Sequence, residues 1–153
     1  MYSKAEAIKL KQEFWIAFGR YLALHNNSEG MRINWVNYHT GYKHLFFRMD
    51  AAKDRASIFI LINHPDEDSR KSYFERFIGF RSIIHERLGE EWSWEEEITD
   101  EYGKKNSKIS AEITNVNVFD KNTWPEIISF LKPRIMALDE VWNDIRDAFE
   151  DLR

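Results

Sequence analysis

The chain has no cysteine, and that one absence excludes disulfides, thiolate zinc sites and cysteine nucleophiles together. It also suits a reducing compartment. Glycine and proline are sparse, six and three in 153 residues, which excludes collagen-like, mucin-like and disordered classes. No apolar run approaches the ~20 residues of a membrane span, and Met1-Tyr2-Ser3-Lys4-Ala5-Glu6 leads straight into charged helical sequence. The expectation is therefore a cytoplasmic protein with no membrane partner. Neither a phosphate-binding glycine loop nor a Gly-x-Ser-x-Gly elbow occurs. The spaced acids of an EF-hand are missing as well, so no cofactor and no metal are expected.

What is present reads as one domain over residues 1–153, 43% hydrophobic and 31% charged. Six Trp, six Tyr and eleven Phe favour a core of large flat side chains over an aliphatic one. A net charge of −4 argues against a dedicated DNA-coating protein, whose affinity comes from phosphate neutralisation. The charge is uneven. Residues Met31 to Arg55 carry +3, whereas Arg81 to Glu101 carry −6.

Ser3-Lys4-Ala5-Glu6 has capping-box spacing, so a helix begins at Lys4. Leu10, Phe14, Ala17, Tyr21 and Leu24 carry it to about Leu24, and Ile8, Trp15, Phe18 and Leu22 widen the stripe until it predicts packing on two sides. Lys11, inside that arc, is read as a stem along apolar surface with its ammonium in water. After the His25 to Gly30 turn the period becomes two: Met31, Ile33 and Trp35 make one strand, Leu45, Phe47 and Met49 a second, with a turn at Tyr38 to Gly41. A third strand, Arg55 to Asn63, is apolar on both faces, as expected of a central strand.

Pro65 and the acids Asp66, Glu67 and Asp68 suit the first turn of a helix that Gly89 ends. Trp92, Trp94 and Ile98 then alternate with acids in a half-exposed strand. Ile109, Ala111 and Ile113 make the next, with a continuation through Val116, Val118 and Phe119. Thr123-Trp124-Pro125-Glu126 is a second capping box, and Leu131, Ile135, Leu138, Trp142, Ile145, Phe149 and Leu152 form one seam interrupted by Pro133, where a break or kink is expected. The predicted fold class is α+β: a largely antiparallel sheet of five to six strands with three to four helices, in the order α-β-β-β-α-β-β-α.

The first hairpin concentrates the candidates for chemistry. Its polar face would gather Asn34, Lys43, His44, Arg48 and Asp50 as a ligand-binding set, with Asn37 and His39 near the turn. An Arg, a His and a carboxylate together can bind an anionic ligand or perform acid-base work. The same composition also suits cross-strand ion pairs on a solvated face. Trp35, Tyr38, Tyr42, Phe46 and Phe47 interleave with these cations, a combination used in single-stranded nucleic-acid binding, although the strand pattern sends several of those rings to the core.

Strand order also describes the core of restriction-endonuclease-like folds, for which Asp50 can serve as the first acid. Ile60-Leu61-Ile62 stands where the acid-x-Lys pair belongs, so that site lacks its essential ligands, and a divergent metal-dependent nuclease or hydrolase is kept only as the alternative. His39 and His44 match no closed zinc pattern. The seam on the last helix offers a homodimer surface, with packing on its own sheet as the competing use.

Glu13-Phe14-Trp15, Asn34-Trp35-Val36-Asn37-Tyr38, Thr40-Gly41-Tyr42-Lys43-His44, Phe47-Arg48-Met49-Asp50, Leu88-Gly89-Glu90-Glu91-Trp92 and Lys132-Pro133-Arg134-Ile135 resemble a bacterial family, domain-of-unknown-function family 4268, over nearly the whole chain. No activity or catalytic residue is established for that family, so the resemblance implies none here. Similar domains are joined to nuclease-like modules, which implies an association with nucleic-acid processing. The expectation is a non-enzymatic binding or accessory domain that contacts an anionic ligand, nucleic acid among the candidates.

Overall fold

The computed structural model describes residues 2–153. Helix α1, Lys4–Leu22, starts where the capping box places it: Ser3 Oγ accepts from the Glu6 amide at 3.2 Å and donates to the Glu6 carboxylate at 3.1 Å. Phe14, Phe18 and Leu22 are fully buried, and the helix runs beside the last one, with Phe14 against Trp124 and Lys132 over Tyr21. Among the described residues only that one side is covered. Ile8 and Ile16 stay exposed, contrary to the two-sided packing expected from the stripe.

Residues Met31 to Trp35 form no strand. Their backbone groups are taken by local partners: Asn27 Oδ1 accepts from the Met31 amide, Asn27 N donates to the Met31 carbonyl, and Asn34 Oδ1 accepts from the Asn37 amide. Asparagine side chains compete with a ladder in this way, and an alternation only three apolar residues long does not outweigh them. Trp35 is buried all the same, its indole donating to the His25 carbonyl at 3.0 Å.

The sheet therefore has four strands, β1 (Leu45–Ala51), β2 (Arg55–Ile62), β3 (Ser93–Thr99) and β4 (Lys105–Thr114), in the antiparallel order β1-β2-β4-β3. Asn115, at φ 62°, turns the chain out of β4, so Val116 and Val118 are buried in a loop rather than extending the strand. Between β2 and β3 the expected single helix is two, α2 (Glu67–Gly79) and α3 (Arg81–Leu88). Phe80 separates them, its backbone N–H donating to the Phe77 carbonyl while its ring stacks on Phe149. Asp66, not Pro65, starts α2 by accepting from the Ser69 amide. Gly89 ends α3 in the left-handed region, as expected.

Helix α4, Trp124–Ile145, passes through Pro133 without a break. Ser129 and Pro133 both face solvent, so the carbonyl deprived of its amide donor can be hydrated. The second capping box does not form, because Thr123 Oγ1 donates to the carbonyls of Asn117 and Asp120 instead. The apolar seam is consumed internally: Leu131, Ile135, Leu138, Trp142, Ile145 and Phe149 are buried against the chain's own sheet and helices. It offers no dimer surface. The order is α-β-β-α-α-β-β-α, and the heart of the core is aromatic, with Trp142 and Phe149 rings 5.2 Å apart and Phe47 and Phe77 packed on the same tryptophan.

Candidate functional site

Strand alternation sends Leu45, Phe47, Ile58, Ile60, Ile62 and Ile109 toward α4 and α2, where all are buried. The intervening residues point the other way. On that side Phe46, Ser57, Phe59, Leu61, Lys108 and Ser110 are part-exposed, and Arg48, Asp50 and Glu112 are exposed. Among the described residues no helix lies over this face. β2 is thus covered on one side, not two, and its Phe59 and Leu61 are surface groups that an apolar run alone does not distinguish from core.

The face is not bland. The Arg48 guanidinium sits 4.2 Å from the centre of the Phe46 ring, and the Lys108 ammonium sits 4.4 Å from that of Phe59. Register places Arg48 opposite Phe59 and Lys108 opposite Leu61, so two cations and two rings occupy neighbouring rows on three adjacent strands. Lys43 and Arg48 also line a shallow cleft with Phe46, Tyr38 and His39, about 350 Å³ in volume, at the start of β1. Cation over ring is a stabilising arrangement, worth ~0.5–1 kcal/mol at an exposed site.

The five residues expected to gather on the first hairpin do not all meet. Lys43 and Arg48 share the cleft. Asp50 lies at the far end of β1, 3.9 Å from Lys11, whose ammonium is thereby paired. His44 enters β1 at φ 65°, and its ring lies 4.7 Å from that of His64. Burial, with the neighbouring His44, pushes the His64 imidazole below its usual range and leaves Nδ1 free to accept from the Asp66 amide at 3.1 Å. Asn34 is elsewhere, because the strand that was to carry it is a loop. Of the interleaved rings, Trp35, Tyr42 and Phe47 belong to the core.

Asn34 and His39 instead line a second cavity, about 170 Å³, with Asp139, Arg146 and Asn143. Asp139 is buried at 3% exposure and fully used: it accepts from the Tyr38 hydroxyl at 2.6 Å and from the Ser28 amide at 2.7 Å. Burial and the carboxylate beside it raise the Tyr38 phenol above its ordinary value, which keeps the donating proton in place. Trp142 adds a third tie through its indole to the Thr40 carbonyl at 2.9 Å. The cavity is the anchor of the 25–44 loop on α4. In the sequence Asp139 is one acid among twenty-six Asp and Glu residues, and its role depends on a contact 101 residues away in the chain.

A model of the family described as Domain of unknown function (DUF4268) matches residues 10–146. No curated protein and no solved structure matches the chain.

Proposed function

This chain belongs to the domain-of-unknown-function family 4268, and from that starting point we propose that it binds single-stranded nucleic acid on the helix-free face of its sheet. The observation that carries the reading is the pairing of ring and cation in adjacent rows: Arg48 with Phe46, Lys108 with Phe59. Aromatic faces accept unpaired bases of any sequence, and the cations beside them neutralise the backbone. A flat sheet also suits a splayed strand better than a duplex, whose bases are stacked out of reach. Lys43 extends the positive track into the cleft at the start of β1.

A salt titration with ten-nucleotide DNA and RNA strands tests this. Three phosphate contacts from Lys43, Arg48 and Lys108 predict a slope of about −2 in log K against log salt. Removing both rings, Phe46→Ala with Phe59→Ala, should cost at least about tenfold in affinity while the slope stays. No salt-sensitive binding at low ionic strength would sink the reading. Magnesium-dependent cutting of the strand, abolished by Asp50→Asn, would replace it with a hydrolase.

A further inference from the structure

Two side-chain oxygens in the described part of the molecule are buried without any hydrogen-bond partner, and they are neighbours: Asn63 Oδ1 and Asn106 Oδ1. Ile62 pairs with Ser107, so Asn63 and Asn106 follow side by side at the end of the β2–β4 ladder. By alternation both continue the rows of Leu61 and Lys108 on the helix-free face. Asn106 is only 6% exposed. Unpartnered buried acceptors are rare in folded proteins, and each one calls for a donor that the chain does not supply.

The nearby Arg70 is committed elsewhere. Arg70, 4% exposed, spends one hydrogen bond on the His64 carbonyl, next to Asn63, and lies 3.8 Å from Glu97, next to the Ile98 that pairs with Asn106. The bulge between Glu95 and Ile98 displaces β3 beside this row. Neither amide is held by a bond, and the terminal torsion of asparagine is soft, so each oxygen can turn to an incoming donor.

We propose that Asn63 and Asn106 read a base edge bearing an exocyclic amine at the row next to Phe46, which gives strand binding a preference for cytosine over uracil. The inference rests on the nucleic-acid reading of the same face. Cytosine offers a 4-amino donor where uracil offers a 4-oxo acceptor, and the two rings otherwise have the same size and stacking surface. An orphaned oxygen gains a bond from the first and a repelling lone pair from the second.

The experiment compares fluorescent deca-cytidylate with deca-uridylate at fixed low salt and neutral pH. The wild-type chain should bind the cytidylate about tenfold tighter. Asn63→Ala combined with Asn106→Leu, which removes both acceptors and keeps volume at the more buried site, should bring the two affinities together and leave the salt slope unchanged. Asn63→Ala alone, at the less buried position, should shrink the ratio to about threefold, and serves if the double variant does not fold. Equal affinities in the wild type, or a ratio that survives the substitutions, overturn this inference and leave the binding face standing. Failure of both strands to bind overturns the functional reading itself, and this one with it.

Discussion

β1 and β3 are the two edges of one sheet, and they differ in what they do with the same alternating pattern. β1 pairs with β2 along its whole length, buries Leu45, Phe47 and Ala51, and presents Phe46 and Arg48 outward. β3 loses register between Glu95 and Ile98 and has no buried residue at all. Its outward groups are Ser93 and Glu95, followed by Glu96 and Glu97 in the bulge. A bulge and a row of like charges are how an open edge avoids pairing with another chain. The contrast teaches that the two edges differ in free charge: over β1 Lys11 pairs Asp50 and leaves Arg48 near Lys108, whereas the exposed charges of β3 are acidic, so a polyanion is favoured on the Arg48–Lys108 side.

The comparison breaks most easily in the core. Trp142 is 1% exposed, holds the loop before β1 through the Thr40 carbonyl, and packs on Phe47 and Phe149. Trp142→Ala should lose ~3–5 kcal/mol of stability in a urea titration. Trp94 on β3 is half-buried, stacked edge-on against Phe74 under the Arg81 guanidinium. Its replacement by alanine should cost only ~1–2 kcal/mol. Equal losses would mean that the acidic edge is as much a part of the core as β1.

Asp139 comes next. Asp139→Ala leaves the Tyr38 hydroxyl and the Ser28 amide without an acceptor and should cost ~2–3 kcal/mol. Asp139→Asn keeps an oxygen for one donor and should cost less. Because Lys43 rides on the loop that Asp139 anchors, the alanine variant should also weaken strand binding relative to the asparagine variant. A loop unaffected by either change would show that its other ties, Trp142 to Thr40 and Tyr42 to Arg146 among them, suffice to hold it.

Much of this was legible in the sequence where signals were local. The Ser3 cap, the Gly89 stop, the strand expected over Arg55 to Asn63 and the one carrying Ile109, Ala111 and Ile113 all follow from patterns a few residues long. Reading failed where a distant partner decided. Met31 to Trp35 alternates like a strand but spends its backbone on Asn27 and its tryptophan on His25. β2 is central in the sheet, as its apolar run predicts, but nothing in Ile58-Phe59-Ile60 says that one side of the sheet goes uncovered. The charge contrast between the two segments was visible from composition, and in the fold it puts Arg48 on the β1 edge and Glu95, Glu96 and Glu97 on the β3 edge. Lys108 was missed as a partner for that face because β4 carries it on the far side of β2 from Arg48.

Within the acidic segment, one carboxylate differs from the rest. Glu90 receives two bonds from the Arg134 guanidinium, at 2.6 and 3.0 Å, and a third from the Trp92 indole. The Arg134 bonds hold its carboxyl below the ordinary range. A carboxylate depressed in the fold adds stability that is complete above its unfolded value and is lost as pH falls through its folded value. Melting temperature should therefore drop on acidification below about pH 5, and Glu90→Gln should flatten that part of the profile. Glu96→Gln, an exposed neighbour in the β3 bulge, should leave it as it is. An identical response from both variants would erase the distinction between a bonded acid and a solvated one.

The smallest change in the fold gives the sharpest view of the face. Glu95 stands opposite Lys108 in the β3–β4 register, at the boundary between the acidic edge and the cationic rows, and its side chain is exposed. Glu95→Lys should move stability by less than about 0.5 kcal/mol, because nothing buried depends on it. It removes one repelling charge and adds one phosphate contact, so strand affinity at low salt should rise several-fold and the salt slope should steepen by about 0.7. Arg48→Ala should do the reverse, with a slope shallower by the same amount. If Glu95→Lys changes neither affinity nor slope while Arg48→Ala changes both, the strand runs over β1 and β2 and never reaches β3. If the two act as mirror images, it crosses all four strands, and the acidic edge sets the strength of binding as much as the basic one.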